Sequence, residues 1–531
     1  MDTNKNYMKI IRVFCLIAIL AEMTVLRGED ASLSFTPTDV SQIGQDLSNP
    51  DTYGLANPIT DSTNITVDYT IPSVTSGDNP YNISVITKFV EDLTANNFTF
   101  NINFGNNLWD VYVLNVLDNK TVSLNSVSYN IIDSATSHPI NKITVNKGGL
   151  FEVEGDLVVS DRRTTRSWYQ TRLNFWNSGN VNIKGNLTVS AEMAAKYDNP
   201  LNGVKLELSE INSFTVGGVV TLQSIWNDKK WIRLNGNTRN VFERSFGGLS
   251  VASGGIIELD GQKNVTATTL TFTNSGRNEF NGSLATRIEV ERTDEKIISS
   301  WGNVVDNKLN ITMDASDPQN GYQVLRFSKI DNYENENWIN YAFTSGANSL
   351  NEIVVKNGRL DIAMYDGMKA SSLSMKGGVF SAAGDNYNPE MGKVVFDKIV
   401  FSGGTIYFDI FENENENDSL QINGSIEKAS DSSKLTLEMG VNEYDLREWL
   451  EAAGEDSKSV ELITFSSEGS NVTAEDFSLK LLDGVSGEIS MVEADGMISL
   501  SVNLGLVPEP ESVACVLAAL AIVAACFRKR A

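Results

Sequence analysis

The stretch FEVEGDLVV at residues 151–159 recurs as VNIKGNLTV at residues 181–189 and as FTVGGVVTL at residues 214–222. All three copies follow one pattern: two alternating apolar positions, a glycine, and two further alternating apolar positions. Alternation turns one face of a short β-strand toward a core. Recurrence after 30 and then 33 residues is typical of the stacked turns of a solenoid.

The central glycines of the three copies are Gly155, Gly185 and Gly218, and we expect them at equivalent bends because glycine accepts a bend that a side chain hinders. Weaker copies occur at residues 257–261 and 420–426. A series of β-sandwiches is the rival interpretation, but the copies are very similar to one another and Asn-Gly hairpin turns are not regularly spaced. The sequence therefore predicts an all-β chain with a right-handed parallel β-solenoid at residues 81–430.

The segments that flank this region have a different character. Residues 29–80 are rich in Ser, Thr, Asn, Asp and Pro with little periodicity, so we expect an irregular N-terminal cap. Residues 431–506 are expected to form a C-terminal capping region with one helix, which begins after Asn442 and ends at Gly454. The apolar stripe of this helix is Leu446, Trp449, Leu450 and Ala453.

Residues 507–531 form a tail in three parts. Pro508, Glu509 and Pro510 are a rigid break, residues 512–527 are apolar and uncharged, and Arg528, Lys529 and Arg530 follow as a cationic stop. The apolar run is shorter than the roughly 20 residues that span a bilayer comfortably, yet we expect it to insert as a single C-terminal transmembrane helix with its cations in the cytoplasm. The same pattern is also that of an ordinary single-span anchor with no sorting role. A GPI signal fits less well because the tail ends in basic residues.

The N-terminus predicts export. Lys5, Lys9 and Arg12 precede the apolar run of residues 13–21, so residues 1–28 are expected to be a signal peptide. An uncleaved N-terminal anchor is the alternative. The cysteines are Cys15, Cys515 and Cys526, which places none in the exported region, and disulfides therefore cannot stabilise it.

The order Pro-Glu-Pro, small apolar helix and basic cluster resembles the PEP-CTERM sorting signal of Gram-negative-type bacteria. That resemblance implies recognition by an exosortase, a membrane protease-transpeptidase that cuts near the Pro-Glu-Pro, and a precursor anchored in the inner membrane. Proteins of that family are exported to the cell envelope or outer surface and are often linked to exopolysaccharide. The segment after residue 430 is also similar to the closing turns of autotransporter-like β-helix passengers.

The charge of the chain limits its partners. The formal net charge is −26, and setting aside the net +2 of residues 1–28 and the net +2 of residues 511–531 leaves −30 on the exported region. Such a surface argues against nucleic acid as a partner. A large negative charge is typical of a surface protein whose molecules repel one another. Divalent cations could screen this charge.

Solenoid folds include pectate lyases and polygalacturonases, whose active sites cluster carboxylates with His or Arg. This chain has one histidine, His138, in a loop before Pro139, and no exported cysteine. Serine–histidine, cysteine–histidine and zinc chemistry are therefore not expected. Glu412, Glu414, Glu416 and Asp418 offer oxygen ligands for calcium, but their alternation with asparagine favours a solvated loop, so we predict no cofactor and no metal site.

Two basic and aromatic clusters lie beside the repeats. Half of the eight tryptophans fall between residues 168 and 231, with cations close by. Stacking and charge could bind sugars there, while the alternative is that these aromatic residues pack on the flank of the solenoid. The candidate glycan-binding residues are Arg166, Trp168, Tyr169, Trp226 and Trp231.

These observations predict an exported, surface-anchored, non-enzymatic structural or adhesive protein, with an exosortase-type enzyme, the membrane and extracellular polysaccharide as partners. One alternative is a β-helix polysaccharide lyase or hydrolase whose carboxylates are scattered along the sequence. The other is a single-pass surface glycoprotein, which would use Asn-x-Ser/Thr sites such as those at Asn64, Asn97 and Asn264.

Overall fold

The structure is a computed structural model, and it describes much of the chain between residues 30 and 507. The described residues are 30–35, 43–53, 55, 57–70, 83–103, 110–133, 140–162, 171–192, 203–209, 211–224, 229–234, 242–260, 267–273, 275–289, 291–293, 296–298, 308–329, 333–334, 341–345, 350–365, 368–382, 391–392, 394–411, 417–441 and 443–507. The predicted signal peptide and residues 508–531 of the predicted sorting tail lie outside them.

The chain divides into two compact units. Unit 1 comprises residues 1–309 and 329–346, and unit 2 comprises residues 310–328 and 347–531. Both are built from parallel β-strands that stack turn upon turn, so the prediction of an all-β solenoid is confirmed. The right-handed sense of the coil stays a prediction.

The turns of unit 1 contribute strands to a first sheet and to a second sheet; in the turn of the first repeat copy, Leu150–Val153 and Leu157–Asp161 lie on the first sheet and Thr171–Trp176 lies on the second. The strands of unit 1 are Ala31–Phe35, Ile43–Asp46, Ile65–Thr70, Ile83–Phe89, Leu93–Asn103, Asp110–Val116, Thr121–Asp133, Ile140–Val145, Leu150–Val153, Leu157–Asp161, Thr171–Trp176, Asn180–Ile183, Leu187–Ala191, Gly203–Ser209, Ser213–Ser224, Lys229–Arg233, Phe242–Asp260, Thr268–Phe272, Arg277–Glu289, Glu291–Thr293, Lys296–Ile298, Tyr333–Glu334 and Tyr341–Ser345, with a 3-10 turn at Pro50–Tyr53.

The three repeat copies occupy equivalent places on the first sheet. Leu157 pairs with Leu187, which in turn pairs with Val220, and all three are fully buried. The positions before the bend pair in the same way through Ile183. Stacking in register repeats one apolar residue directly above another, so the core continues from turn to turn.

The repeat glycines stack because neighbouring turns approach closely at the bend. The amide of Gly185 donates to the carbonyl of Gly155 at 3.0 Å, and the amide of Gly218 donates to the carbonyl of Gly185 at 2.9 Å. A Cβ added to Gly185 would lie 2.4 Å from the Gly155 oxygen. The predicted equivalence of the three glycines is therefore confirmed, and backbone proximity is the reason for it.

Polar side chains also stack between turns on the outside of the first sheet. The Asn97 amide donates to Asn64 Oδ1 at 2.9 Å, and Ser126 donates to Asn97 Oδ1 at 2.6 Å. A parallel row joins Asp68, Asn101 and Asn130. Each such bond is worth about 1 kcal/mol, so these rows help to fix the register of neighbouring turns.

The parallel ladder extends beyond both predicted boundaries. Residues 31–35 pair with residues 65–69, and Ile65–Thr70 pairs with residues 98–103. This pairing corrects the expectation that residues 29–80 are an irregular cap, because strands inside that segment already form turns of the solenoid. At the other end Leu435–Gly440 pairs in parallel with Phe477–Lys480, past residue 430.

Unit 2 repeats the parallel arrangement and then closes with antiparallel strands. Val485–Ala494 and Ser457–Ser466 both pair antiparallel with Met497–Leu506. The strands of unit 2 are Leu309–Asp314, Tyr322–Phe327, Leu350–Asn357, Arg359–Tyr365, Lys369–Met375, Val379–Ser381, Met391–Gly392, Val394–Phe401, Thr405–Asp409, Leu420–Ile422, Ile426–Lys428, Leu435–Gly440, Ser457–Ser466, Phe477–Lys480, Val485–Ala494 and Met497–Leu506, with an α-helix at Glu443–Ala453 and a 3-10 turn at Ala474–Asp476.

The helix Glu443–Ala453 forms where the sequence predicts it. Leu446, Trp449 and Leu450 are buried, whereas Ala453 is exposed at its last turn. Gly454 ends it with a φ of 68°, in the left-handed region that favours glycine. Across the part of the chain that the structure describes, no helix is both long enough and apolar enough to span a membrane.

Candidate functional site

Most of the predicted site residues lie outside the described part of the chain. They are Arg166, Trp168, Tyr169, Trp226, Pro508, Glu509, Pro510, Arg528, Lys529 and Arg530, together with His138, Glu412, Glu414 and Glu416. Trp231 is described, and its side chain is only 1 % exposed, packed with Ile256 and Ala285. Trp231 is therefore corrected from a surface residue to a packed one, which is the alternative that the sequence left open.

The second sheet of unit 1 presents a polar outer face because its strands alternate. In Thr171–Trp176, Leu173 and Phe175 turn inward to the core, so Arg172, Asn174 and Trp176 turn outward. Parallel pairing then aligns the outward residues of successive turns into rows. One row is Lys142, Asn174, Glu207, Arg233 and Glu258, and a neighbouring row is Arg172, Lys205, Trp231 and Ile256.

The later turns of this face hold a buried network of ion pairs. Arg233 Nη1 lies 2.7 Å from Glu207 Oε1, and Arg233 Nε lies 3.5 Å from Glu258 Oε1. Lys205 Nζ lies 3.2 Å from Glu258 Oε2. Arg172 Nη1 approaches Glu207 Oε2 at 3.7 Å. Each carboxylate is thus shared between two cations, which is what charges removed from water require.

Burial and neighbouring charge act in opposite directions on the pKa values of this network. Burial lowers the pKa of Lys205, although the charges of Glu258 and Glu207 oppose it. Burial alone would raise the pKa of Glu207, but the positive charges of Lys205, Arg172 and Arg233 outweigh it and hold that pKa well below its usual range. Glu207 therefore remains ionised across the physiological range.

The earlier turns of the same face are only partly exposed, because Lys142 and Thr144 are half-buried and Asn174 is buried. The Trp176 side chain is 39 % exposed, and Lys142 Nζ lies over its ring, 3.1 Å from the ring centroid. Thr144 pairs with Trp176, and Asn115 pairs with Thr144 one turn before. The side-chain oxygens of Asn115 and Asn174 are buried and accept no hydrogen bond from any described residue. We call Asn115, Lys142, Thr144, Asn174 and Trp176 the Trp176 face.

Unit 2 carries a cluster of carboxylates, tyrosines and one arginine on its own second sheet. Arg359 Nε and Nη2 donate to the two oxygens of the buried Asp361 at 2.7 and 3.1 Å, and the Tyr322 hydroxyl donates to the same carboxylate. The Arg359 guanidinium also lies over the rings of Tyr322 and Tyr407. Arg359 and Asp361 therefore form a bidentate ion pair.

Asp418 lies beside this cluster, between the strands Thr405–Asp409 and Leu420–Ile422. Its Oδ2 accepts from the Asp409 amide at 2.9 Å, and its own amide donates to the Asp409 carbonyl at 3.0 Å. Burial raises the pKa of Asp418 to about 7, and the charges of Asp409 and Asp361 act in the same direction while Arg359 opposes them. No group of three or more potential ligands that could hold a metal occurs among the described residues.

We expect Asp418→Asn to stabilise the protein at alkaline pH. Because the folded state raises the pKa of Asp418 from 3.8 to about 7, its contribution to stability is complete below pH 4 and is lost as the pH rises toward 7. Asparagine cannot ionise and can still accept from the Asp409 amide. The variant should gain about 4 kcal/mol at pH 8 and nothing at pH 4, measured by denaturant unfolding at both pH values.

The matched control for this prediction is the exposed Asp431. Asp431→Asn should leave the unfolding midpoint unchanged at either pH. An Asp418→Asn variant whose stability followed the wild-type pH profile would show that Asp418 ionises normally in the fold.

A third charged group lies inside the core. Arg244 is 1 % exposed and occupies the position that pairs with Phe214 of the third repeat copy. Its guanidinium donates to the carbonyls of Ile211 at 2.9 Å and Leu234 at 3.1 Å, and at longer distance to Leu208 and Asn212. Burial lowers the pKa of Arg244 to about 9, so it remains charged at neutral pH.

No protein-family model matches the chain, and no curated protein matches it. The fold therefore defines only a class, the parallel β-solenoid proteins, and function has to be argued from the faces of the solenoid.

Proposed function

We propose that this protein is an exported, surface-anchored structural or adhesive solenoid that associates with extracellular polysaccharide. The observation that carries the proposal is the stacking of turns through both an apolar core and outward rows of asparagine and aspartate. Such a scaffold needs no disulfides and presents a repetitive polar surface to its surroundings. Its outer faces can carry binding residues without disturbing the core.

Anchoring in this proposal depends on the tail. The precursor is held in the inner membrane by residues 512–527, the Pro508-Glu509-Pro510 segment is recognised by an exosortase-type enzyme, and the processed protein passes to the cell envelope or outer surface. The resemblance of the tail to PEP-CTERM signals supports each of these steps.

Replacing Pro508, Glu509 and Pro510 together with alanine is expected to trap the precursor in the inner membrane, because the sorting enzyme then lacks its recognition segment. Fractionation of the expressing cells, followed by mass spectrometry, measures this. Envelope-derived wild-type protein should yield no peptide that contains Cys515 or Cys526. The control is Ser512→Ala, which leaves the three residues intact and should sort normally.

Recovery of the intact Arg528-Lys529-Arg530 end from mature wild-type protein would contradict processing and leave a plain transmembrane anchor.

The glycoprotein alternative has less support, because the side-chain nitrogen of Asn97 already donates to Asn64 and that of Asn64 donates to Asp30 at 2.9 Å. A glycan on either residue would have to replace these bonds.

A second candidate function is hydrolysis or lysis of polysaccharide by the cluster in unit 2. Asp418, with a pKa of about 7, could hold the proton that a general acid donates, and Asp409 lies beside it. The non-enzymatic proposal expects no reducing ends or unsaturated products when the intact protein is incubated with polygalacturonate, alginate or dextran. If the wild type releases such products and Asp409→Asn does not, the non-enzymatic proposal is wrong and the protein is a polysaccharide-degrading enzyme.

A further inference from the structure

We infer that one strip of the first sheet of unit 1 binds a neutral, crystalline β-1,4-linked polysaccharide, such as cellulose or chitin, through a row of hydroxyl groups. The inference rests on the proposed function, and it names the ligand class and the surface. The Trp176 face is not this surface, because the Lys142 ammonium already covers the Trp176 ring.

The strip is formed by outward residues that the parallel register places directly above one another. Thr66 pairs with Thr99, Thr99 pairs with Ser128, and the alignment continues turn by turn to Ser250. Each of these side chains is half-buried, since it stands on a sheet whose other face forms the core. The members of this row, which we call the hydroxyl row, are Thr66, Thr99, Ser128, Val158, Thr188, Thr221 and Ser250.

The hydroxyl groups of this row are available to a ligand. Within the described part of the chain, none of the threonine and serine hydroxyls in the row forms a hydrogen bond with another residue. In the neighbouring row, by contrast, Asn101 donates to Asp68 and Asn130 donates to Asn101. The neighbouring row therefore joins the turns to one another, while the hydroxyl row keeps its donors and acceptors for solvent or a ligand.

The strip is almost uncharged, although the chain as a whole carries −26. The hydroxyl row contains no charged residue, and the neighbouring row contains one, Asp68. A polyanion would meet a carboxylate there and no cation, so an uncharged partner fits the strip better. The described charged residues at the borders of the strip are Asp30, Glu154, Asp156, Arg162, Lys184 and Glu192.

The spacing of the row matches a ligand that is itself periodic. Neighbouring strands lie about 4.8 Å apart, so the seven members of the row extend over about 29 Å. The sugars of an extended β-1,4-linked chain follow one another at a similar spacing and present hydroxyl groups along the chain. One hydrogen bond contributes little, because it replaces a bond to water. Many bonds to an already ordered ligand contribute more, since neither the sheet nor the ligand loses conformational freedom on binding.

Co-sedimentation of the intact protein with microcrystalline cellulose and with crystalline chitin tests the row. A triple variant with Thr99→Val, Thr188→Val and Thr221→Val keeps the branched shape of each side chain but loses three hydroxyl groups. It should weaken binding about a hundredfold, since each lost bond is worth about fivefold. Binding by the wild type should not depend on salt, because the ligand carries no charge.

The matched control replaces Thr94, Thr215 and Thr271 with valine. These threonines are half-buried or exposed on another outward row of the same sheet, so the control should bind like the wild type. Thermal unfolding of both triple variants shows whether the fold persists. Equal binding by the two triple variants would overturn the assignment to the hydroxyl row, and binding that falls steeply with salt would overturn the neutral ligand.

Soluble cellohexaose should compete only weakly, because a flexible chain must be ordered on binding. Competition by cellohexaose at the affinity of the solid would overturn the requirement for a crystalline ligand. Failure of the wild type to bind either solid would overturn the inference itself. That result leaves the proposed function to its own test, because surface delivery through the Pro508-Glu509-Pro510 segment is measured in cells without any glycan.

Discussion

Val189→Asp is expected to unfold the turns around it, with a loss on the order of 5 kcal/mol. Val189 is fully buried on the first sheet and pairs with Val159 on one side and Leu222 on the other. An aspartate there places an unpaired carboxylate between apolar side chains of two neighbouring turns. Because each turn of a solenoid is stabilised mainly by its neighbours, the damage should spread to adjacent turns.

Thr188→Asp is the matched control, since residue 188 is half-buried on the opposite face of the same strand. It should change stability by about 0.5 kcal/mol or less. Hydrogen exchange should show loss of protection in residues 150–224 of Val189→Asp and native protection in Thr188→Asp. Equal stability of the two variants would contradict the assignment of residue 189 to the core.

Arg244→Ala is expected to cost about 3–5 kcal/mol, the second large effect. The substitution removes donors from the carbonyls of Ile211 and Leu234 and leaves both acceptors buried. It also leaves a void where a long side chain, 1 % exposed, filled the interior. Both Arg244→Ala and Arg244→Met remove a buried positive charge, which offsets part of the loss. Methionine also fills more of the space than alanine, so Arg244→Met should cost less than Arg244→Ala.

Denaturant unfolding of the intact protein measures this difference, with Arg277→Ala as control. Arg277 is an exposed arginine paired with Glu279 at 2.8 Å, and its loss should cost less than about 1 kcal/mol. If Arg244→Ala and Arg277→Ala unfolded at the same denaturant concentration, the bonds of Arg244 to the carbonyls would contribute nothing net.

Arg244 also explains why only three clear copies of the repeat are visible in the sequence. Residues 243–250 pair with the third copy, with Phe246 opposite Val216 and Leu249 opposite Val220. Arg244 occupies an apolar position of the pattern, and the register shifts at the bend between Val216 and Val219. Both changes hide the copy from a search for alternating apolar residues. The weaker copy predicted at residues 257–261 instead begins on the second sheet, where Ile257 pairs with Ile232.

The ends of the solenoid were hidden for a different reason. The strands Ala31–Phe35 and Ile65–Thr70 are short but do alternate, as Ile65, Val67 and Tyr69 show, and each pairs with a strand about 33 residues further along, such as Ile65 with Phe98. The polar composition of residues 29–80 as a whole hid this alternation, and the partner strands supply the order that the composition does not indicate.

The sequence by itself determined the fold class, the core positions of the three copies, the equivalence of their glycines and the helix ending at Gly454. These follow from local patterns, because alternation and a fixed repeat length force the same side chains inward at every turn. Only the tertiary structure decided which outward residues are buried. Trp176 and Trp231 both lie on outward positions beside cations, yet one is exposed and the other is packed with Ile256 and Ala285. The burial of a side chain on an outer face depends on which residues of other strands pack against it. The sequence of the strand that carries the side chain does not show this.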